Sequence, residues 1–224
     1  MLEIDRSVSL IAKGTDMGPK AALNLLQNDD SIGVFDFDGV VISRSEEIVY
    51  QIPPSKSEEK YLTDVARTIG FPFQNFDIRY LRHILFQFAL EKNSTPCQAG
   101  PMLSVLRSLS EAKAQFFILT ARSAMPAIRR ALNFLDAENI SPAEIFFVGR
   151  VGKGQQLKLL DREFPENRLI YFDDSPRHSK NAGRMKSSKI DSFFVDWPVK
   201  EVDRAQKFYK DAMIDAFGEH SFWR

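Results

Sequence analysis

The sequence predicts an α/β fold with a mainly parallel five-stranded sheet and a small helical insertion after the first strand. Three observations carry that reading. Strand-sized apolar runs alternate with amphipathic helical stripes along most of the 224 residues. The stretch from about Ser43 to Gly100 carries helical stripes and no strand pattern. Several of the apolar runs end in acid, which places polar chemistry where a buried strand leaves a sheet.

The elements follow in order. A helix is expected around Pro19 to Gln27. Ile32 to Phe37 is the first strand, a short apolar run closed by acid and glycine. In the insertion, Leu62, Val65, Ala66 and Ile69 form one helical stripe, and Leu81, Ile84, Leu85 and Phe88 form another. Phe88 is read there as part of the helical core. Pro53, Pro54, Pro72 and Pro96 punctuate the segment. Met102, Val105, Leu106 and Leu109 then repeat at helical spacing before the strand Gln115 to Leu119. Ile128, Ala131, Leu132 and Leu135 give the next helix, with Pro126 suited to its first turn and Ser123 placed to cap it. The strand Ile145 to Val148 leads to the stripe Leu157, Leu160, Phe164. Leu169 to Phe172 and Phe193 to Val195 complete the strands, and Val202, Ala205, Tyr209 and Ala212 mark a last helix. Four strand–helix–strand crossovers require a sheet that is mainly parallel.

Composition narrows the function classes. Hydrophobic residues make up 44% and charged residues 27%, which excludes a mostly disordered chain. Thirty basic side chains balance 30 acidic ones, so the chain lacks the basic excess of a protein that coats nucleic acid or anionic membrane. A single cysteine, Cys97, rules out an internal disulfide and a cysteine-based zinc site. No apolar run approaches a membrane span, and acid arrives early at the N-terminus, so the expected location is cytoplasmic.

In open parallel sheets, ligands gather at the carboxyl ends of the strands. The first strand ends Asp36-Phe37-Asp38-Gly39, the second ends Leu119-Thr120-Ala121-Arg122, and the fourth ends Phe172-Asp173-Asp174. Gly152-Lys153-Gly154 opens the helix after the third. Like charges this dense repel, so the acids need a cation or a proton to share one pocket. Carboxylates are hard oxygen ligands, and the ion they suit is Mg²⁺. Gly149 to Gly154 lacks the spacing of a P-loop. Arg122 is open to a substrate contact, a salt bridge or a surface role. His178 is open to phosphate binding or to a solvated loop, and Arg177, Lys180, Arg184, Lys186 and Lys189 read as a solvated helix face.

The Asp36-Phe37-Asp38-Gly39-Val40 run, Leu119-Thr120, Lys153-Gly154 and Phe172-Asp173-Asp174, in that order, resemble the four motifs of the haloacid dehalogenase (HAD) superfamily. The resemblance spans Ile32 to about Val195. It implies a three-layer Rossmann-like core built from residues 1–42 and 101–224, and a small helical cap of the first type at 43–100. It implies that Asp36 attacks phosphorus to form an aspartyl-phosphate, and that Asp38 is the general acid and then the general base. Thr120, the Ala121 N–H and Lys153 would hold the phosphoryl oxygens. Mg²⁺ would be bound by Asp36, the Asp38 carbonyl and Asp174, with Asp173 able to supply the carboxylate that many relatives carry further on. Lys158 is the alternative to Lys153. The implied activity is a Mg²⁺-dependent phosphomonoester hydrolase acting on a small phosphorylated metabolite such as a nucleotide. A phosphotransferase and a non-catalytic phospho-ligand binding or regulatory protein remain alternatives. Phe71, Phe73, Phe76, Tyr80 and Phe86 enrich the insertion in aromatics, and one or two near Phe71 to Phe76 are candidates to stack on a ring.

Overall fold

A computed structural model describes residues 9–13, 24, 26–27, 30–43, 53–72, 77–123, 125–149, 152–185, 189–196 and 201–219. Six strands, β1 (Ser9–Lys13), β2 (Ser31–Phe35), β3 (Phe116–Thr120), β4 (Glu144–Phe147), β5 (Arg168–Asp173) and β6 (Ile190–Asp196), form one sheet. Seven helices are described: α1 (Lys56–Thr68), α2 (Ile78–Lys92), α3 (Leu103–Glu111), α4 (Met125–Ala137), α5 (Lys153–Glu163), α6 (Pro176–Ala182) and α7 (Glu201–Phe217). None of them is long and apolar enough to cross a membrane.

The sheet order is β1-β6-β5-β2-β3-β4. The five expected strands, β2 to β6, run parallel. A sixth, β1, pairs antiparallel with β6, Ser9 facing Asp196 and Lys13 facing Ser192 in register. The helix expected around Pro19 to Gln27 lies largely outside the described residues.

The strands form because both of their faces find apolar partners. Ile32 and Val34 of β2 share a cluster with Phe117, Leu119, Leu169 and Tyr171, closed over by Leu157 and Leu160 of α5. Phe35, on the opposite face, stacks on Phe172 with ring centroids 5.2 Å apart, and Phe172 stacks on Phe193 at 5.4 Å. Each such side chain contributes about 1.5–3 kcal/mol of burial. From β2 the chain steps outward to β3 and β4, then returns to β5 and β6 on the other side. The carboxyl end of β2, between β3 and β5, is therefore the topological switch point, where a parallel sheet opens a crevice.

Chain contacts divide the molecule into two compact units. The first, Met1–Arg44, Gln98–Ser123 and Ala131–Pro198, holds the sheet. The second comprises Ser45–Cys97, Ala124–Arg130 and Val199–Arg224. Its core gathers Tyr61, Leu62, Leu85, Phe86 and Leu90 of α1 and α2 with Tyr209 and Met213 of α7. The C-terminal helix thus packs with the insertion helices rather than within the 101–224 portion of the core to which its position in the chain assigned it. The physical reason is its apolar stripe, which lies on α2, where the Lys92 ammonium also donates to the Ala216 carbonyl at 2.5 Å.

Three apolar stripe positions are not core. Phe88 and Ile69 are exposed, as is Leu132 of α4. Ile69 caps α1 beyond its last turn. Phe88 falls on the far side of α2, touched edge-on by Phe71 with centroids 6.4 Å apart. Phe73 and Phe76 lie outside the described residues.

Candidate active site

Asp36 follows β2 directly. Its N–H extends the ladder by donating to the Phe172 carbonyl at 2.8 Å, so its position is fixed by the sheet itself. The Phe37 N–H donates to Asp36 Oδ1 at 2.7 Å and fixes the carboxylate. The chain then turns sharply at Gly39, whose φ of +75° suits glycine. A Cβ there would lie 2.1 Å from Asp174 Oδ2, so the missing side chain also makes room for that carboxylate.

Lys153 arrives from the other side, as the first residue of α5. Gly152 before it takes a φ of +93°. The buried Lys153 ammonium lies 2.5 Å from Asp36 Oδ2 and 2.8 Å from Asp173 Oδ2. Burial disfavours the charged amine, but the Asp36 and Asp173 carboxylates outweigh it and raise the lysine above its ordinary range. Asp173 shows the converse. Burial would raise its carboxyl, yet Lys153 and then His178 reverse that and hold it at about 2. The Tyr171 hydroxyl and the Ser175 N–H also donate to Asp173, the latter at 2.7 Å. Burial and then the Asp173 charge push the Tyr171 phenol well above its usual value, so it remains a donor.

Asp174 completes the group. Asp36, Asp173 and Asp174 are all buried, and each offers a carboxylate oxygen within 4.8 Å of the others. Three carboxylates converge here, and the Lys153 ammonium meets two of them, Asp36 and Asp173; buried negative charge this dense is costly unless cations offset it. An all-oxygen donor set of this kind fits a hard divalent ion such as Mg²⁺. Asp173 is drawn to Lys153 and to His178.

Asp38 stands apart from that cluster. Its carboxylate meets the Arg122 guanidinium, Nη2 to Oδ1 at 2.7 Å and Nε to Oδ2 at 3.0 Å. Of the roles open to Arg122, the salt bridge is therefore the one formed, and a surface role is excluded by its burial. Thr120, the last residue of β3, is buried and accepts from the Arg122 N–H at 3.2 Å. Ala121 follows it, exposed. Lys158 is exposed on α5, whereas Lys153 is in the acid group. His178 stands near the acids, Nδ1 3.5 Å from Asp173 Oδ2. Arg177, Lys180 and Arg184 are exposed, Lys189 is half-buried, and Lys186 lies outside the described residues.

The sequence reading did not single out Tyr171. Its signal was available: a residue two before Asp173 on a strand shares that residue's face. The Arg122–Asp38 pairing had no comparable signal, because it joins side chains far apart in the chain.

A mainly parallel sheet with acids at its switch point, a lysine opening the helix after β4 and a second acid pair at the end of the neighbouring β5 is the arrangement expected of a phosphatase of the HAD superfamily, the class to which this chain belongs. Within that class the chain belongs to the 5'-nucleotidase family, whose family model matches residues 16–194. Among solved structures, the chain is similar to one described as a haloacid dehalogenase-like hydrolase, from Burkholderia xenovorans LB400. The identity is 10%, with 72% of this chain and 80% of that chain covered and a TM-score of 0.43. Comparison with curated proteins finds no match.

Proposed function

We propose that this phosphatase is a Mg²⁺-dependent phosphomonoester hydrolase that works through an aspartyl-phosphate on Asp36, with a small phosphorylated metabolite such as a nucleoside monophosphate as substrate. The observation that carries the reading is the convergence of the buried Asp36, Asp173 and Asp174 carboxylates beside the Lys153 ammonium. The family supports the nucleotide as substrate class.

In this reading an Asp36 carboxylate oxygen attacks phosphorus while the bond to the ester oxygen breaks. Asp38 gives that oxygen its proton. A water then attacks the same phosphorus and passes its proton to Asp38, which frees Asp36 and inorganic phosphate. Lys153, Thr120 and the Ala121 N–H hold the phosphoryl oxygens, Lys153 as a point charge already beside the nucleophile. Mg²⁺, held by Asp36, Asp174 and the Asp38 carbonyl with Asp173 beside them, would supply the positive charge that lets an anionic nucleophile meet an anionic ester. The helical insertion is read as the cap, and the buried core that it forms together with α7 supports its being a separate body.

The test is hydrolysis of nucleoside monophosphates and of an aryl phosphate by the full chain, with Mg²⁺ and with chelator. Turnover should require the metal, and Asp36→Asn should abolish it while circular dichroism stays that of the wild type. Metal-independent turnover, or turnover by Asp36→Asn, overturns the reading.

A further inference from the structure

We propose that Arg122 is the positioning residue for Asp38, the side chain that aims the acid–base carboxylate during both halves of the reaction. The proposal rests on the reading of Asp36 and Asp38 given above and deepens it.

Four contacts single Arg122 out. Its Nη2 and Nε donate to the two oxygens of one carboxylate, at 2.7 and 3.0 Å. Its guanidinium carbon lies 4.9 Å above the ring of Phe37, between the two aspartates in sequence. That ring is itself buried and fixed edge-on by Phe134, with centroids 6.3 Å apart. Its backbone N–H bonds the Thr120 hydroxyl, which ties the loop after β3 to the end of its own strand.

The guanidinium is thus held by the Asp38 carboxylate and the Phe37 ring, and its backbone by Thr120. The Arg122 side chain is 2% exposed and the Asp38 side chain 18%, so the fork is inside and the carboxylate faces outward from it. A guanidinium buried this far is costly unless paired, and here the pairing is bidentate.

The geometry says what the pair does. Asp38 follows a strand end and precedes a left-handed glycine, so the backbone alone leaves its carboxylate plane free to rotate. Two parallel N–H···O bonds fix that plane, which a lysine ammonium cannot do. Oδ1 accepts from Nη2 and, at 3.3 Å, also from Nε, whereas Oδ2 accepts only the Nε bond from Arg122 and keeps a second lone pair. The group is aimed yet still able to exchange a proton with an ester oxygen or a water. The Asp36, Asp173 and Asp174 oxygens converge on one another, whereas Asp38 is turned to Arg122.

The experiment separates aiming from stability. The full chain and its Arg122→Ala, Arg122→Lys, Asp38→Ala and Asp36→Asn variants are compared with Mg²⁺ on two substrates. One is an aryl phosphate whose phenolate leaves without a proton; the other is a nucleoside monophosphate, whose alkoxide needs one. Stopped-flow release of phenolate follows the first half-reaction, and steady-state phosphate release follows the whole cycle.

With the aryl phosphate, Arg122→Ala should form the aspartyl-phosphate at a rate within about tenfold of wild type and then stall. A burst of one phenolate per site should precede a steady rate lowered by about 10²-fold, the size of a general base contribution. With the nucleotide, both phases should fall by about 10²-fold and no burst should appear. Arg122→Lys should show the same burst with a smaller loss, and in both variants the aryl-phosphate KM should fall together with kcat, as it must when the second step becomes limiting. A merely structural role would lower burst amplitude and steady rate together.

Parallel losses on both substrates, or wild-type behaviour, overturn the proposal. If Arg122→Ala fails to fold, Arg122→Lys decides: a burst with reduced turnover supports aiming, and wild-type kinetics refute it. Turnover by Asp36→Asn would instead remove the underlying reading, and the proposal with it. An inactive Asp36→Asn together with a burst in Asp38→Ala but none in either Arg122 variant leaves that reading standing and refutes the positioning role alone.

Discussion

Each unit buries an ionic network, and the two are built differently. In the second unit Glu58 of α1 lies 2.7 Å from Arg82 Nε of α2 and accepts from Arg82 Nη2 at 3.1 Å. It also accepts from the Tyr209 hydroxyl of α7 at 2.9 Å, and the Arg82 guanidinium carbon lies 4.9 Å over the Tyr209 ring. One carboxylate meets one guanidinium, and the network ties together three helices. In the first unit, at the ends of β2 and β5, the buried Asp36, Asp173 and Asp174 carboxylates converge, and the Lys153 ammonium meets Asp36 and Asp173. Burial costs both networks several kcal/mol per ion before pairing. The balanced one settles that cost internally and joins helices; the unbalanced one leaves negative charge for something from outside. On the proposed reading, it is this convergence of carboxylates, more than burial or ion pairing, that sets the candidate site apart from the helix-joining network.

The largest effect should come from worsening the imbalance. Lys153→Met leaves Asp36, Asp173 and Asp174 without their ammonium and removes a phosphate-holding charge. Turnover should fall by about 10³-fold or more, the scale of losing a preorganised charge in a dry site. A loss under tenfold would mean that Lys153 is not part of the working charge.

Arg82→Met should do the opposite. It strands Glu58 in a core, and breaking a buried pair costs about 3–5 kcal/mol. Urea unfolding should show that loss, while turnover of a small aryl phosphate stays at the wild-type level wherever the variant is folded. A fall in turnover without a fall in stability would erase the distinction between the two networks.

The same contrast explains what was legible in the sequence. The five parallel strands were readable as short apolar runs; β2 and β3 are buried on both faces, as in Ile32, Val34 and Phe35, whereas β4 at the sheet edge is only half-buried. The acids were readable because Asp36 and Asp173 end such runs. β1 was not: Ser-Leu-Ile-Ala-Lys is short and polar at both ends, and its place is set by pairing with β6. The stripe of α7 announced a buried face but not the face that would cover it, which is why the helix was assigned to the wrong unit. Pairing is harder still. Nothing local to Arg122 says that its fork meets Asp38, and nothing local to Glu58 names Tyr209 as its partner, because both contacts exist only once separate elements have packed.

A smaller effect tests the need for an outside cation without using activity. Saturating Mg²⁺ should raise the melting temperature of the wild type, since a ligand at 100 times its Kd adds about 2.7 kcal/mol to the folded state. Asp174→Asn should lose most of that increment, and Arg82→Met should keep it although it starts from a lower temperature. An equal Mg²⁺ increment in Asp174→Asn and wild type would take Asp174 out of the cation site.

The smallest effect belongs to an ion pair that is neither buried nor unbalanced. Arg129 Nε lies 2.6 Å from Glu91 Oε1, and Nη2 donates to Oε2 at 3.0 Å, with half of the Arg129 side chain exposed. The Arg129 hydrogen bonds pull the Glu91 carboxyl below its ordinary range, with partial burial opposing them. A carboxyl whose folded-state pKa is depressed stabilises the protein above its unfolded value, near 4.3, and that contribution disappears as pH falls through the folded value. Glu91→Gln should therefore lower the melting temperature slightly at pH 7, and the gap to wild type should close as the pH drops below about 4. The gap should also shrink in high salt, because exposed charges are screened, whereas the Arg82→Met deficit should persist there. A Glu91→Gln gap that widens toward acid, or an Arg82→Met deficit that vanishes with salt, would show that exposure does not rank these pairs and that the balance of charge in each network has been misread.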